Sequence, residues 1–368
     1  MPLTLLEVDD FRLFEKIRVL PDPHLNLIVG HNASGKTSLL EAIYLLGTGR
    51  SFRSTTLNQL IRLSRPTFLV SGQFYDEDIP STRLALQRDT QHSRFSLGGS
   101  PQPSASLLAR TLPLQIISPD SHFQFFTSTR HRRGVLDWGV FHVEPDFYPQ
   151  WMRYQRALNQ RNAALKARQL PKACFAWDPE LVEAGERLQA YRHQFLQEWN
   201  SRFQYYCFQL LGTSETEIEL KHGWALELGL DQALQNERGW DIQTGNTHSG
   251  PHRTDIGLSF SGQPARISAS HGQQKLLVIA LRLAQMEIFT QKTHRHCVVL
   301  IDDLAAELDP RHREQLMRTL SRLSLQVFIT ATETGLVDTR GWLSHKVFHV
   351  ERGGIEEVNP SPSPEQGR

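Results

Sequence analysis

Residues 30–37 form a glycine-rich sequence of the kind that wraps around a phosphate group. They read Gly-His-Asn-Ala-Ser-Gly-Lys-Thr, which matches the complete pattern G-x-x-x-x-G-K-[ST]. The two glycines let the backbone curl so that successive N–H groups point at one phosphate. Lys36 is expected to reach the β- and γ-phosphates of a nucleotide, and the Thr37 hydroxyl to ligate Mg²⁺. The predicted nucleotide-binding loop consists of Gly30, His31, Asn32, Ala33, Ser34, Gly35, Lys36 and Thr37.

The residues on either side of this loop support that prediction. Residues 25–29 read Leu-Asn-Leu-Ile-Val, an apolar run that predicts a strand, and residues 38–46 have the pattern of an apolar helix. In this strand–loop–helix arrangement the positive end of the helix dipole faces the bound phosphate. A chance glycine-rich turn is the alternative interpretation, and the flanking elements argue against it.

A second set of polar residues follows an apolar run in the last quarter of the chain. Residues 298–303 read Val-Val-Leu-Ile-Asp-Asp, so two carboxylates lie at the end of a predicted strand. A Mg²⁺ site beside a phosphate loop requires an acidic residue delivered in this way. We predict that Asp302 holds the metal through a water ligand and that Asp303 polarises the attacking water. An ordinary core strand with a solvated end is the alternative, and the upstream phosphate loop favours the metal site.

About 265 residues separate the phosphate loop from Asp302, more than a minimal single-domain nucleotide hydrolase needs. Strands that alternate with helices near both ends of the chain predict an α/β body with a parallel sheet and a site at the strand carboxyl ends. Residues 123–211 have a helical pattern instead. The large separation is therefore best explained by an inserted, mainly helical domain.

The longest predicted helix of this inserted stretch begins at Asp178-Pro179-Glu180 and ends at Gly212. Its apolar residues follow one stripe as far as Trp199, and a second apolar stripe lies between residues 151 and 165. Two long helices packed as a hairpin are the simplest account. A helical bundle that binds a cofactor is the more specific alternative. These apolar stripes include aromatic residues, and an aromatic stripe at helical spacing is usually part of a core.

Composition restricts the possible environments and partners. The 368 residues carry a net charge of +1, so contact with nucleic acid must depend on a local basic patch. Three isolated cysteines at positions 174, 207 and 297 argue against a disulfide framework or a zinc site and favour a reducing compartment. The N-terminus does not resemble a secretory leader, and no stretch approaches the ~20 apolar residues of a membrane helix. We expect a cytoplasmic protein that does not insert into membranes.

A third motif shows a resemblance to a known class of enzymes. Residues 270–273 read Ser-His-Gly-Gln and resemble the Ser-Gly-Gly-Gln signature loop of ABC-type ATPases, with His271 in place of the first glycine. Residues 307–309 resemble the D-loop of that class. Thr330 falls where most members carry a histidine that contacts the γ-phosphate, a place we call the switch position.

Several segments are more specific and resemble the RecF family of bacterial recombination mediators. They are residues 47–53, 132–137, 160–165, 250–253 and 270–275, within a resemblance that runs from about residue 10 to residue 350. One departure is Ala33, where the family often has glycine. Alanine would strain the loop if that position requires a positive φ angle.

The resemblance implies the fold of an ABC-type ATPase head, similar to the heads of SMC proteins: a mixed sheet with flanking helices and an inserted helical domain. The implied division is body 1–120, insertion 121–215, body 216–356 and a flexible tail 357–368. The family's activity is ATP- and Mg²⁺-dependent binding to single-stranded and gapped DNA and to strand junctions, with slow DNA-stimulated hydrolysis. It acts with RecO and RecR to load RecA during gap repair and the SOS response.

The resemblance also implies roles for individual residues. ATP lies on the phosphate loop of one subunit, and Ser270, Gly272 and Gln273 of a second subunit close on its γ-phosphate, so that ATP drives formation of a homodimer. Gln115 matches the Q-loop position and senses the γ-phosphate and metal. The expected catalytic residues are thus Lys36, Asp303, Gln115 and Ser270.

DNA contact is expected in a basic stretch between residues 130 and 172, where cations greatly outnumber carboxylates. Arg132, Arg133 and Arg161 are the candidate DNA-binding residues. A solvated helix face with its counter-charges elsewhere is the alternative for each of them.

Two other functions are compatible with parts of the sequence. A transporter-type ABC subunit would couple ATP to a membrane partner, but the long helical insertion has no role there. A nucleotide-independent DNA-binding scaffold with a vestigial ATP site is the second alternative. The intact Lys36, Thr37, Asp302 and Asp303 argue against it.

Overall fold

The computed structural model describes residues 2–76, 79–102 and 104–358. It divides into two compact units. The first, which we call the terminal unit, combines the residues up to Ser121 with those from Thr293 onward. The second, the central unit, comprises His122–Lys292.

The strands are numbered in chain order. They are β1 Leu3–Phe11, β2 Phe14–Val19, β3 Leu25–Val29, β4 Thr67–Asp76, β5 Ile79–Asp89, β6 Ser93–Leu97, β7 Ser100–Gln102, β8 Leu114–Ile117, β9 Thr216–Lys221, β10 Asp255–Phe260, β11 Gln263–Pro264, β12 Cys297–Ile301, β13 Leu325–Ala331, β14 His345–Glu351 and β15 Gly354–Val358.

The helices follow the same convention. They are α1 Lys36–Thr48, α2 Ser106–Thr111, α3 Ser121–Thr127, α4 Thr129–Val143, α5 Phe147–Lys166, α6 Pro171–Cys174, α7 Asp178–Leu211, α8 Gly229–Asn236, α9 Arg238–Thr244, α10 Ala265–Ser268, α11 His271–Thr293, α12 Leu304–Glu307 and α13 Pro310–Leu320.

The terminal unit contains two six-stranded sheets. One is antiparallel, in the order β2-β1-β4-β5-β6-β7, and the other is mixed, in the order β15-β14-β3-β13-β12-β8. Strands β14, β3, β13, β12 and β8 run parallel to one another. Every residue of β3, β12 and β13 is buried, as expected for central parallel strands covered on both faces. The carboxyl ends of these three strands therefore lie side by side at one edge of the mixed sheet.

The core of the terminal unit joins residues of both sheets to helix α1. This helix begins directly after the phosphate loop, and its residues Leu39, Leu40 and Ile43 are at most 1% exposed. Burying an aliphatic side chain stabilises a fold by about 1.5–3 kcal/mol. The start of α1 is thus held in place by hydrophobic packing along the rest of the helix.

The central unit is built on α5 and α7, which pack against each other as the predicted pair of long helices. The apolar stripe of α7 is buried through Leu181, Leu188 and Trp199, and the Trp199 indole N–H donates to the Leu281 carbonyl oxygen at 3.0 Å. Helix α7 ends at Gly212, whose φ of 73° is the left-handed conformation that favours glycine at a helix end.

The central unit extends beyond residue 215, where the sequence places the end of the inserted domain. Strands β9, β10 and β11 form a three-stranded antiparallel sheet, and β9 packs on α7. Helix α11 is attached to α7 by the Trp199 hydrogen bond. These contacts link residues 216–292 to the helical part of the chain. Of the predicted tail, residues 357 and 358 belong to β15, and residues 359–368 lie outside the described part of the chain.

Across the described ranges, none of the helices combines the length and the apolar character that crossing a bilayer would require.

Candidate functional site

The phosphate loop connects β3 to α1 through an unusual backbone path. Gly30 and Gly35 have φ angles of 153° and 120°, conformations that residues with a side chain rarely adopt. A β-carbon placed on Gly30 would lie 2.3 Å from the carbonyl oxygen of Val350 in β14. Glycine is therefore required here for steric reasons as well as conformational ones.

Ala33 has a φ angle of 63°, in the left-handed region. The sequence predicts that alanine strains the loop if this position requires a positive φ angle. The φ angle is positive, so the structure supports that prediction. For a residue with a β-carbon this conformation costs roughly 1–2 kcal/mol.

The Lys36 side chain folds back over the loop. Its ammonium donates to the carbonyl oxygens of Gly30 at 2.7 Å and His31 at 2.9 Å. Burial lowers the pKa of Lys36, and the nearby charges of Asp303 and Asp302 act in the opposite direction. Ser34 Oγ, in the same loop, is buried and has no hydrogen-bond partner in the described part of the chain. An ammonium and an unused hydroxyl at a glycine-rich turn suit an anionic, oxygen-rich ligand.

Asp302 links three elements of the terminal unit. It follows β12, and its Oδ1 accepts from the Thr37 hydroxyl of α1 at 3.0 Å and from the Thr330 hydroxyl of β13 at 2.8 Å. Thr37 and Asp302 are 265 residues apart in sequence. Burial raises the pKa of the Asp302 carboxyl, and the hydrogen bonds from Thr330 and Thr37 act against that shift. The two predicted halves of the site are therefore in direct contact.

These groups fit a magnesium ion of the kind that is shared with phosphate oxygens. The described residues contain no cluster of three or more histidine, cysteine or acidic side chains that could enclose a metal. Mg²⁺ usually keeps several waters and binds through one or two carboxylates together with phosphate oxygens. The Thr37 hydroxyl gives its proton to Asp302, which leaves its oxygen lone pairs available to a cation.

Asp303 lies next to Asp302 and is exposed. Its φ and ψ angles are both 51°, in the left-handed region, and its backbone N–H donates to the Thr330 hydroxyl at 2.8 Å. The left-handed backbone turns the chain from β12 into the short helix α12.

A partly buried ion pair near the loop was not anticipated from the sequence. Glu41, fully buried in α1, accepts from Arg12 Nε at 2.9 Å and from Arg12 Nη2 at 3.0 Å, and it also accepts from the Ser51 hydroxyl. Arg12 lies in the turn between β1 and β2, and its Nη2 also donates to Ser54 Oγ at 2.7 Å. A glutamate inside an otherwise apolar helix was the available signal, but its partner is 29 residues away.

The signature residues lie in the central unit, at the start of α11. Ser270 N donates to Gln273 Oε1 at 2.8 Å, and Gln273 N donates to Ser270 Oγ at 3.3 Å. This reciprocal pair is a capping box, which satisfies two backbone donors at the helix start. Ser270, His271 and Gly272 are exposed. A β-carbon placed on Gly272 would meet nothing within 4 Å, so this helix start is open to an incoming group.

Gln115 does not lie where its predicted sensing role requires. It is 2% exposed within β8 and pairs in register with Val299, three residues before Asp302. Three strand residues span roughly 10 Å, so Gln115 lies well inside the sheet rather than at its carboxyl edge.

Arg161 is unsuitable as a DNA contact. Its side chain is fully buried, donating to Asp178 at 2.7 Å and to Asp241 Oδ2 at 2.7 Å, and it also bonds to Thr247. A guanidinium enclosed in this way cannot reach a phosphate on another molecule. The local excess of cations in the sequence concealed carboxylates that approach from other helices.

Arg132 and Arg133 are also engaged within the central unit. Arg132 donates to both carboxylate oxygens of Asp255 at 2.7 Å, and Arg133 Nη1 donates to the Thr254 carbonyl oxygen at 3.0 Å. Burial lowers the pKa of Arg133. Five other cations of the same stretch are exposed, namely Arg130, Arg156, Lys166, Arg168 and Lys172.

Comparison with known proteins places this geometry in a family. A family model described as "RecF/RecN/SMC N terminal domain" matches residues 2–355. The "DNA replication and repair protein RecF" of Pseudomonas putida (strain GB-1) is 38% identical over 364 residues, covering 98% of this chain and 99% of that protein. The protein of the same description from Pseudomonas aeruginosa (strain LESB58) is 39% identical over 363 residues, covering 97% and 98%.

Solved structures show the same fold. A structure described as the recombination mediator protein RecF with ATP superposes with a TM-score of 0.85 at 24% identity, covering 97% of this chain and 98% of that one. An Smc head bound to the C-terminal winged-helix domain of ScpA gives a TM-score of 0.58 at 15% identity, with 97% of each chain covered. The chain belongs to the RecF family of DNA replication and repair proteins, and its fold is that of the RecF and SMC ATPase heads.

Proposed function

We propose that this protein is an ATP-dependent DNA-binding switch that acts in replication, recombinational gap repair and SOS induction. The observation that carries the proposal is the 3.0 Å hydrogen bond between Thr37 and Asp302, which joins the phosphate loop to the acidic end of β12. A family relative is described as an ATP-bound recombination mediator of the RecFOR pathway, which supports ATP as the nucleotide here.

Each residue of the site has a distinct proposed task. The backbone N–H groups of residues 30–37 and the Lys36 ammonium bind the β- and γ-phosphates, and Lys36 exchanges its two carbonyl contacts for phosphate oxygens. Thr37 and Asp302 would hold Mg²⁺, which would supply neutralisation of the phosphate charge. Asp303, exposed at the sheet edge, orients and polarises the attacking water. We expect hydrolysis to be slow and stimulated by DNA.

The signature residues are proposed to complete the site of a second copy. Ser270, Gly272 and Gln273 form an exposed helix start, the type of feature that binds anions through backbone N–H groups and the helix dipole. Because these groups gain a ligand only when a triphosphate is present, nucleotide stabilises the homodimer by mass action. Hydrolysis then weakens the contact.

DNA and the other recombination proteins are the proposed partners. The exposed cations of residues 130–172 supply phosphate contacts to single-stranded and gapped DNA and to strand junctions. RecR and RecO are the proposed protein partners, with RecA loading as the indirect outcome, because relatives are described as members of the RecFOR pathway. We propose that the protein acts in the cytoplasm.

Retention on gapped DNA tests the proposal against its two alternatives. Purified protein is applied to immobilised gapped duplex with Mg·ATP, with Mg·ADP, or without nucleotide. The proposed switch is retained strongly with ATP only. Equal retention in all three conditions would indicate a nucleotide-independent scaffold, and no retention in any condition would favour a transporter-type subunit.

A further inference from the structure

Thr330, which the resemblance places at the switch position, makes hydrogen bonds to two successive aspartates. Thr330 is the penultimate residue of β13 and is 1% exposed. Its neighbour Ile329 pairs in register with Ile301, the last residue of β12. Thr330 therefore lies beside Asp302, where the two parallel strands end.

The Thr330 hydroxyl makes one donated and one accepted hydrogen bond in this arrangement. It donates its proton to Asp302 Oδ1 at 2.8 Å and accepts the backbone N–H of Asp303 at 2.8 Å. A hydroxyl has one proton to give, so Thr330 cannot donate to a phosphate oxygen without releasing Asp302.

Both contacts stabilise features that are otherwise unfavourable. Asp303 is held with φ and ψ of 51°, a left-handed conformation that is unfavourable for a residue with a β-carbon unless its surroundings stabilise it. Asp302 is only 8% exposed, and a buried carboxyl group needs hydrogen-bond partners for its oxygens. One hydroxyl thus supports the side chain of one aspartate and the backbone of the next.

We propose that Thr330 is a positioning residue for the metal side of the nucleotide site, and that it does not act as a γ-phosphate sensor. This inference rests on the proposed function, because it assumes that Asp302 serves Mg²⁺ and that Asp303 serves water. A histidine at this position could donate to phosphate from its ring. The threonine instead fixes the orientation of Asp302 and the backbone path of Asp303.

The test compares three substitutions that preserve or remove the hydroxyl. Thr330→Val has a similar shape without the hydrogen bonds, Thr330→Ser retains the hydroxyl, and Thr330→His introduces the residue typical of ABC-type ATPases. Binding of a fluorescent ATP analogue is titrated with Mg²⁺, and then measured again in EDTA. Removing a group that orients a metal ligand typically weakens metal affinity 10–100-fold.

We expect the substitutions that remove the hydroxyl to change nucleotide binding that depends on Mg²⁺ and to leave binding in EDTA unchanged. Thr330→Val should raise the Mg²⁺ concentration for half-maximal binding about tenfold, while affinity in EDTA stays at the wild-type value. Thr330→Ser should remain within about twofold of wild type, since it restores both hydrogen bonds. Thr330→His should behave like Thr330→Val rather than like wild type.

Several outcomes would overturn the inference. It fails if Thr330→Val has the same Mg²⁺ dependence as wild type, or if this variant loses as much affinity in EDTA as it does with Mg²⁺. It also fails if Thr330→His has the same Mg²⁺ dependence as wild type. Thr319→Val, which removes a threonine hydroxyl bonded within α13, should leave both measurements unchanged. If Thr330→Val does not fold, Thr330→Ala is judged by the same criteria. Wild-type protein that binds no nucleotide would instead refute the proposed function, and the inference with it.

Discussion

At the residue scale, the phosphate loop has one position where sterics require glycine and another where alanine adopts an unfavourable backbone conformation. Gly30 cannot carry a side chain because of the Val350 carbonyl, yet Ala33 occupies a left-handed conformation that glycine adopts more readily. The strain is stored in the segment that we propose contacts phosphate. Binding sites often tolerate such strain because the surrounding structure holds them in place.

Replacing Ala33 with glycine should relieve this strain. We expect Ala33→Gly to raise the free energy of unfolding by up to about 1 kcal/mol, measured by chemical denaturation without nucleotide. Ala42→Gly is the matched control, since Ala42 lies buried inside α1 and the same substitution there should destabilise by about 1 kcal/mol or more. If Ala33→Gly is as destabilising as Ala42→Gly, the positive φ angle does not strain the loop.

At the element scale, the strands and helices that carry the site were predictable, whereas the contacts between them were not. The apolar runs before Gly30 and Asp302, and the helix that follows Lys36, were recognised from local patterns and are confirmed as β3, β12 and α1. Strands β14 and β15 and helices α8 and α9 were not predicted, because their short or mixed patterns carry weak periodic signals.

The side-chain partnerships of the site depended on tertiary packing. Glu41 meets Arg12 and Asp302 meets Thr37 only because the sheet brings distant segments together. The same limitation led to the wrong assignment of Arg161, since its partners Asp178 and Asp241 arrive from α7 and α9. Sequence spacing shows which residues are available, and the fold decides which of them meet.

The Arg161 cluster gives a prediction for the central unit. Arg161→Met removes the cation shared by Asp178 and Asp241, which keep Arg238 and His248 as partners, so we expect a loss of about 3 kcal/mol in the free energy of unfolding. Denaturant titration followed by circular dichroism measures this loss. Arg156→Met is the control on the same helix, because Arg156 is exposed, and its effect should stay within about 0.5 kcal/mol. Equal effects of the two substitutions would contradict the structural role of Arg161.

At the scale of the whole molecule, the proposed contact with DNA must come from a local surface because the net charge is only +1. The stretch from the last residue of α5 to the start of α7, which we call the α5–α7 connection, carries the exposed cations Lys166, Arg168 and Lys172. Replacing all three with alanine should weaken binding to gapped DNA. It should also reduce the slope of log affinity against log salt by about 0.7–0.9 for each phosphate contact that is lost.

A matched triple substitution on the terminal unit provides the control. Lys16, Arg18 and Arg352 are exposed, and changing them to alanine removes the same charge elsewhere on the chain. The salt slope should remain that of wild type. If both triple variants reduce the slope equally, the effect comes from overall charge, and the α5–α7 connection has no special role in DNA binding.

The central claim is that two copies of this chain close on ATP through the phosphate loop of one and the signature residues of the other. Sedimentation velocity of the purified protein, with and without saturating Mg·ATP, tests it most directly. The wild-type protein should sediment as a monomer without nucleotide and as a dimer with Mg·ATP. Lys36→Met should remain monomeric in both conditions, because the γ-phosphate loses its main side-chain cation. A wild-type protein that stays monomeric at saturating Mg·ATP, or a Lys36→Met variant that dimerises like wild type, would contradict the account.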